Sequence, residues 1–106
     1  MGREVVQMKI SKQIKVLDNY FEVELRDVVL FEGVENYGLC EFGSKHKIIL
    51  QKKQPNTKNS LLHEIVHAIE KTQRLGLTEN QVDLLSTMLR TVIIDNPKLI
   101  EIFKED

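Results

Sequence analysis

The chain of 106 residues lacks the features that mark secreted and membrane proteins. Its single cysteine, Cys40, excludes an internal disulfide and is typical of a reducing compartment. Residues 1–7 lack the apolar core of about 7–15 residues that a signal peptide requires. No apolar run approaches the roughly 18 residues needed to span a bilayer. We therefore expect a cytoplasmic protein without a membrane partner.

The chain also lacks an excess of charge of either sign. Its 15 basic and 16 acidic side chains leave a net charge of −1, so no basic stripe is available for nucleic acid. The composition, 42% hydrophobic and 29% charged, is that of a soluble globular protein. The length predicts one domain, residues 1–106, with a modest core. Residues 1–12 are interpreted as a short strand or a loosely attached arm, and the sequence favours no oligomeric state.

The first half of the chain alternates apolar and polar residues as strands do. Residues 14–25 predict a β-hairpin that turns at Asp18-Asn19. A second hairpin is predicted over residues 37–50.

The second hairpin has two features that predict its place in a sheet. Its connection, Gly43-Ser44, suits a two-residue type II′ turn. Lysines flank its returning strand, as they often do in an unpaired edge strand. We therefore expect Lys47–Leu50 to offer a free edge along which a peptide or protein substrate could bind.

Helical periodicity replaces strand alternation after Pro55. The first helix has an apolar stripe and is capped by Thr57, Asn59 or Ser60. Gly76 is its expected left-handed C′ residue.

Two further helices follow in the sequence. The second opens with a capping box, Thr78 to Gln81. It ends before Pro97, which is expected at the first position of a short last helix. Strands followed by helices predict an α+β fold. Its N-terminal antiparallel hairpins would form a small sheet packed on two to three C-terminal helices.

The segment 60–70 contains the motif H-E-x-x-H, formed by His63, Glu64 and His67. On a helix, positions i and i+4 share a face, so both imidazoles can bind one ion. Two imidazoles supply half of a tetrahedral zinc site. Glu64 would stand beside the metal as a general base for a zinc-bound water. The alternative is an amphipathic helix that carries two surface histidines.

A catalytic zinc needs a third protein ligand. Glu70 is nearest, but about 10 Å of helix separates it from His63, so a solvated position is expected for it. The short loop 75–77 predicts that the first two helices pack as an αα-hairpin. Glu79 could then complete the site, and Asp83, on the same face, could accept the outer N–H of a ligating histidine. The alternative leaves Glu79 at the helix dipole and Asp83 exposed.

The motif His63-Glu64-x-x-His67, followed by Glu79-x-x-x-Asp83, resembles the gluzincin pattern, of which thermolysin is a familiar member. In size and element order, the chain is similar to small prophage-borne metallopeptidase-like proteins of the ImmA/IrrE type and to minimal gluzincins. The resemblance implies a zincin-like fold and one Zn²⁺ per chain. It implies His63, His67 and Glu79 as ligands, Glu64 as the base and Asp83 as the residue that orients a ligand.

The sequence departs from the thermolysin pattern because no histidine follows Glu79. His46 and Tyr37 are therefore candidates for the missing transition-state donor, although a surface strand residue is the simpler interpretation of each. The leading hypothesis is a minimal zinc metallopeptidase that hydrolyses a peptide bond. The rival is a non-catalytic prophage protein, metal-binding or metal-free, that acts as a protein-interaction module.

Overall fold

The computed structural model describes residues 13–105; the arm or strand predicted for residues 1–12 lies outside them. The described residues form six strands followed by three helices, which confirms the α+β class. The elements are β1 (Gln13–Val16), β2 (Asn19–Arg26), β3 (Leu30–Phe31), β4 (Val34–Glu35), β5 (Gly38–Phe42), β6 (His46–Gln51), α1 (Thr57–Thr72), α2 (Glu79–Asp95) and α3 (Leu99–Lys104).

Two antiparallel hairpins combine into one four-stranded sheet. Its strand order is β1-β2-β6-β5, and β3 and β4 form a separate two-stranded ribbon. The hairpins β1-β2 and β5-β6 are joined by a parallel pairing of β2 with β6, in which Glu22 lies opposite Lys47. This non-local pairing makes β6 an interior strand.

The prediction that Lys47–Leu50 forms an edge strand is therefore wrong. The three apolar residues of this stretch are fully buried, as expected for a strand covered on both faces. Lys47 does not protect a free edge, because its Nζ atom lies 3.3 Å from Oε1 of Glu24 on the neighbouring strand. The terminal strands of the described sheet are β1 and β5.

The turns differ in detail from those expected. The first hairpin closes through Leu17 and Asp18, one residue earlier than predicted, with φ of 57° at Leu17. The second uses three residues, 43–45, because Phe42 pairs with His46. Gly43 does not have a positive φ, so the type II′ prediction is wrong.

Helix α1 packs on the sheet and supplies one side of the core. The core cluster is made of Val16, Phe21, Ile48, Leu50 and Ala68. The helix begins after Asn56, whose Oδ1 accepts a hydrogen bond from the backbone N–H of Asn59 at 3.1 Å. The N-cap, Asn56, thus lies one residue before the earliest predicted cap, Thr57.

The C-terminal end of α1 is a Schellman-type turn. The backbone N–H of Leu75 donates to the carbonyl of Glu70 at 2.9 Å, and Arg74 takes the left-handed conformation with φ of 54°. Gly76 also has a positive φ, of 71°, but the helix already ends at Thr72. The left-handed residue next to the helix is therefore Arg74 and not Gly76.

Helix α2 packs antiparallel to α1 as the short connection required, and it begins with the predicted capping box. The Thr78 hydroxyl accepts from the Gln81 backbone at 3.1 Å, and the Gln81 side chain accepts from the Thr78 backbone at 2.9 Å. Helix α3 begins at Leu99, so Pro97 lies before it.

Most apolar residues of α2 are exposed among the described residues. Val82 is fully buried, and Ser86 lies beside it on the face turned to α1. The exposed apolar residues of α2 and α3 are Leu84, Leu85, Met88, Leu89, Val92, Ile93, Ile94, Ile100, Ile102 and Phe103. These two helices therefore present a largely apolar outer surface.

We predict that Thr78→Ala lowers the free energy of unfolding by about 1 kcal/mol, because the first turn of α2 loses its side-chain cap. Urea unfolding followed by circular dichroism measures the effect. Thr91→Ala is the matched control, since the Thr91 hydroxyl only donates to the carbonyl of Thr87 within the exposed helix. Equal stability of the Thr78 variant and the wild type would contradict the prediction.

Candidate metal centre

The H-E-x-x-H segment lies within α1, and its two histidines share one face of the helix. The rings of His63 and His67 have centroids 4.9 Å apart. Both side chains are mostly shielded from solvent. The helix thus presents two imidazoles side by side at the surface that meets α2.

Glu79, the first residue of α2, bridges the two imidazoles. Its Oε1 lies 2.7 Å from Nε2 of His63, and its Oε2 lies 2.8 Å from Nε2 of His67. Desolvation acts to raise the pKa of the Glu79 carboxyl, but the charge of His67 and the hydrogen bond from His63 prevail and lower it. The αα-hairpin therefore brings together the three residues expected as ligands.

The chemistry of these donors fits zinc. One atom from each of His63, His67 and Glu79 lies within 4.8 Å of the others, so a single ion could contact all three. Two imidazole nitrogens and one carboxylate oxygen form a donor set used by catalytic zinc, which leaves a fourth position for water.

The outer nitrogens of both imidazoles face carboxylates. Nδ1 of His63 lies 3.5 Å from Oδ1 of Asp83, the residue expected to orient a ligand. Nδ1 of His67 lies 3.6 Å from Oε2 of Glu70. Both separations are longer than a hydrogen bond, so each carboxylate stands close to the imidazole without yet binding it.

The prediction that Glu70 is solvated is wrong, because its side chain is only 5% exposed. Glu70 lies in the last turn of α1, and its backbone carbonyl accepts the Leu75 N–H of the turn that follows. Its spacing of i+3 from His67 was a signal that could have identified this pair.

Glu64 is buried beside the three candidate ligands. Burial, followed by the negative charge of Glu79, raises the pKa of the Glu64 carboxyl to about 8. Strand β5 passes close to it: a Cβ atom added to Gly38 would lie 2.9 Å from Oε2 of Glu64. Gly38 therefore gives Glu64 the space it occupies, a role that no sequence pattern indicated.

A cavity of about 540 Å³ opens beside these residues. Three loop or strand segments and both long helices contribute to its wall. Its lining residues are Phe31, Asn36, Tyr37, Gly38, Leu39, Cys40, Phe42, Asn59, Ser60, His63, Glu64, His67, Lys71, Glu79 and Asp83. A ligand in this cavity would contact the candidate metal centre and β5 together.

The two candidate transition-state donors lie in different places. Tyr37 lines the cavity and is half exposed. His46 does not line it; its ring packs against Phe21 and Phe42, with centroids 5.0 and 5.5 Å away. The structure thus brings Tyr37, but not His46, to the cavity.

Cys40 lies on the cavity wall but is poorly suited to bind metal or act as a nucleophile. Burial, then the negative charges of Glu64 and Glu41, raises the pKa of its thiol to about 12. The reactive thiolate is therefore almost absent at neutral pH.

We predict that iodoacetamide alkylates Cys40 at pH 8 at least about 100-fold more slowly in the folded chain than in the unfolded chain. Mass spectrometry measures the rate, and the single cysteine makes the signal unambiguous. The same reaction in denaturant is the control. Equal rates in the two states would show that the thiol is neither buried nor electrostatically disfavoured.

In comparisons with known proteins, no protein-family model, no curated protein and no solved structure matches this chain. Within residues 13–105, none of the helices has the length and apolar character needed to cross a membrane.

Proposed function

We propose that this chain is a minimal zinc-dependent peptidase. The observation that carries the proposal is the convergence of His63, His67 and Glu79 beside the buried carboxyl of Glu64. Two imidazoles and one carboxylate suit a catalytic zinc, and a shielded glutamate next to them suits a general base. These four residues all line the adjoining cavity of about 540 Å³, where a substrate could reach them.

Each of the proposed catalytic groups would have a separate role in hydrolysis. When bound, zinc would act as a Lewis acid and lower the pKa of a coordinated water to near 7. Glu64 would take the proton of the attacking water and pass it to the leaving amine. Tyr37, on the cavity wall, is the candidate that could donate a hydrogen bond to the developing oxyanion.

We place the substrate along β5 and not along the stretch Lys47–Leu50, whose two edges are both paired. Strand β5 is the terminal strand of the described sheet, and four of its five residues line the cavity. An extended peptide could pair with its outer edge through backbone hydrogen bonds. Its scissile bond would then pass the metal centre.

The first test combines zinc binding with peptide hydrolysis. We expect one zinc per chain, weaker binding in His63→Ala and Glu79→Ala, and cleavage of a peptide panel by the zinc-loaded protein. Glu64→Gln should keep zinc affinity and lose about 100-fold or more in hydrolysis, because it removes the general base but no ligand. Equilibrium dialysis and mass spectrometry of the peptides measure the two effects.

Glu101→Gln is the control for that test, because Glu101 is an exposed residue of the last helix. An inactive wild type with zinc bound, or full activity in Glu64→Gln, would refute the peptidase proposal.

We also predict that Gly38→Ala slows hydrolysis at least about tenfold while zinc affinity stays unchanged, because the new methyl group displaces Glu64. Gly43→Ala is the matched control in the same hairpin, since nothing lies within 4 Å of its added Cβ. Initial rates with a fluorogenic peptide compare the two variants. Equal rates would mean that Glu64 can move without loss of function.

A non-catalytic interaction module is the second candidate. The exposed apolar residues of α2 and α3 favour it, because soluble monomers seldom expose large contiguous apolar patches. The zinc and hydrolysis measurements separate the two functions. Zinc binding without hydrolysis, or no zinc binding, would favour the interaction module.

A further inference from the structure

Glu70 has a buried carboxyl group, and one of its two oxygens, Oε2, has no hydrogen-bond partner among the described residues. Oε2 of Glu70 is fully shielded from solvent, and Nδ1 of His67 lies 3.6 Å from it. A buried polar oxygen without a hydrogen-bond partner is costly to the folded state. The position of this carboxylate therefore needs an explanation other than packing.

The backbone holds Glu70 firmly where it faces His67. Residues at i and i+3 are neighbours on a helix surface, so the two side chains meet. The carbonyl of Glu70 also accepts the Leu75 N–H that closes the turn after α1. The backbone of Glu70 is thus fixed by the turn that ends the helix.

We propose that Glu70 is a positioning residue for the metal ligand His67. When Nε2 of His67 binds an ion, its Nδ1 carries the ring proton and can donate it to Oε2 of Glu70 in a hydrogen bond. Such a bond would fix the ring orientation and make the imidazole a stronger donor, while the ion offsets the buried negative charge. This inference rests on the metal site of the proposed function.

Asp83 occupies the corresponding place at His63, but its side chain is 63% exposed. Charge interactions are weakened by water and strengthened by burial. Glu70 should therefore contribute more to metal affinity than Asp83 does.

Zinc affinity and stability in three variants test this role. We expect Glu70→Leu to weaken zinc binding about 10–100-fold. Glu70→Gln should weaken it less than Glu70→Leu does, because the amide oxygen can still accept the hydrogen bond. Asp83→Asn should also have a smaller effect than Glu70→Leu. Competition with a chromophoric chelator measures the affinity. Glu101→Gln, far along the chain on α3, is the control and should bind as the wild type does.

Stability of the metal-free protein separates positioning from a structural role. A purely structural glutamate would lower both stability and affinity when replaced. We expect the metal-free Glu70→Leu variant to be at least as stable as the wild type, because the substitution removes a buried carboxyl oxygen that has no hydrogen-bond partner. A large loss of stability in the metal-free form would overturn the positioning role.

Nuclear magnetic resonance of the zinc-loaded protein gives the direct signature. We expect a downfield, slowly exchanging Nδ1–H signal from His67 in the wild type and in Glu70→Gln, and its loss in Glu70→Leu. If zinc binds and Glu70→Leu changes neither affinity nor this signal, the role of Glu70 is refuted while the metal site stands. If the wild type binds no zinc, both proposals are overturned.

Discussion

The contact of Glu79 with two imidazoles of α1 is the constraint on which the candidate site depends. It requires α2 to begin close to the middle of α1, which only a short, well-defined connection allows. The turn after Thr72 and the capping box at Thr78 meet that requirement from the two ends of the loop. Glu79 then stands in the first turn of α2, where the helix dipole also favours its negative charge. The backbone conformation of this short connection thus fixes where the Glu79 side chain lies in the candidate site.

Helix α1 carries two buried glutamates, Glu64 and Glu70, where an amphipathic helix would place apolar residues. Each lies next to an imidazole-bearing turn and not in the core cluster. Burial of carboxyl groups opposes folding unless another interaction compensates it. Conflicts of this kind between local sequence and stability are expected at functional sites. The two buried carboxyl groups therefore add support to the proposed metal site, because a bound cation would compensate their charge.

The sequence predicted those features that depend on near neighbours. The facing pair of His63 and His67 follows from helical spacing, and the start of α2 follows from Thr78 and Gln81. Features that depend on distant residues were missed. The burial of Glu70 depends on contacts that no local pattern shows, and the closeness of Gly38 to Glu64 requires the sheet to pack on the helix. The lysine in β6, Lys47, led to the prediction of an edge strand. Its cross-strand partner, Glu24, could not be identified from the local sequence pattern.

The interior position of β6 changes what the sheet could do for a substrate. Parallel pairing with β2 uses one edge of β6, and β5 uses the other. Strand β5 then becomes the outer strand beside the cavity, and its first residue, Gly38, touches the Glu64 side chain. A peptide paired with β5 would therefore run past Glu64, the proposed general base, and not behind the sheet. The edge predicted from the sequence would have put that peptide one strand further from the proposed metal ligands, so the observed topology supports the proposed peptide site at β5.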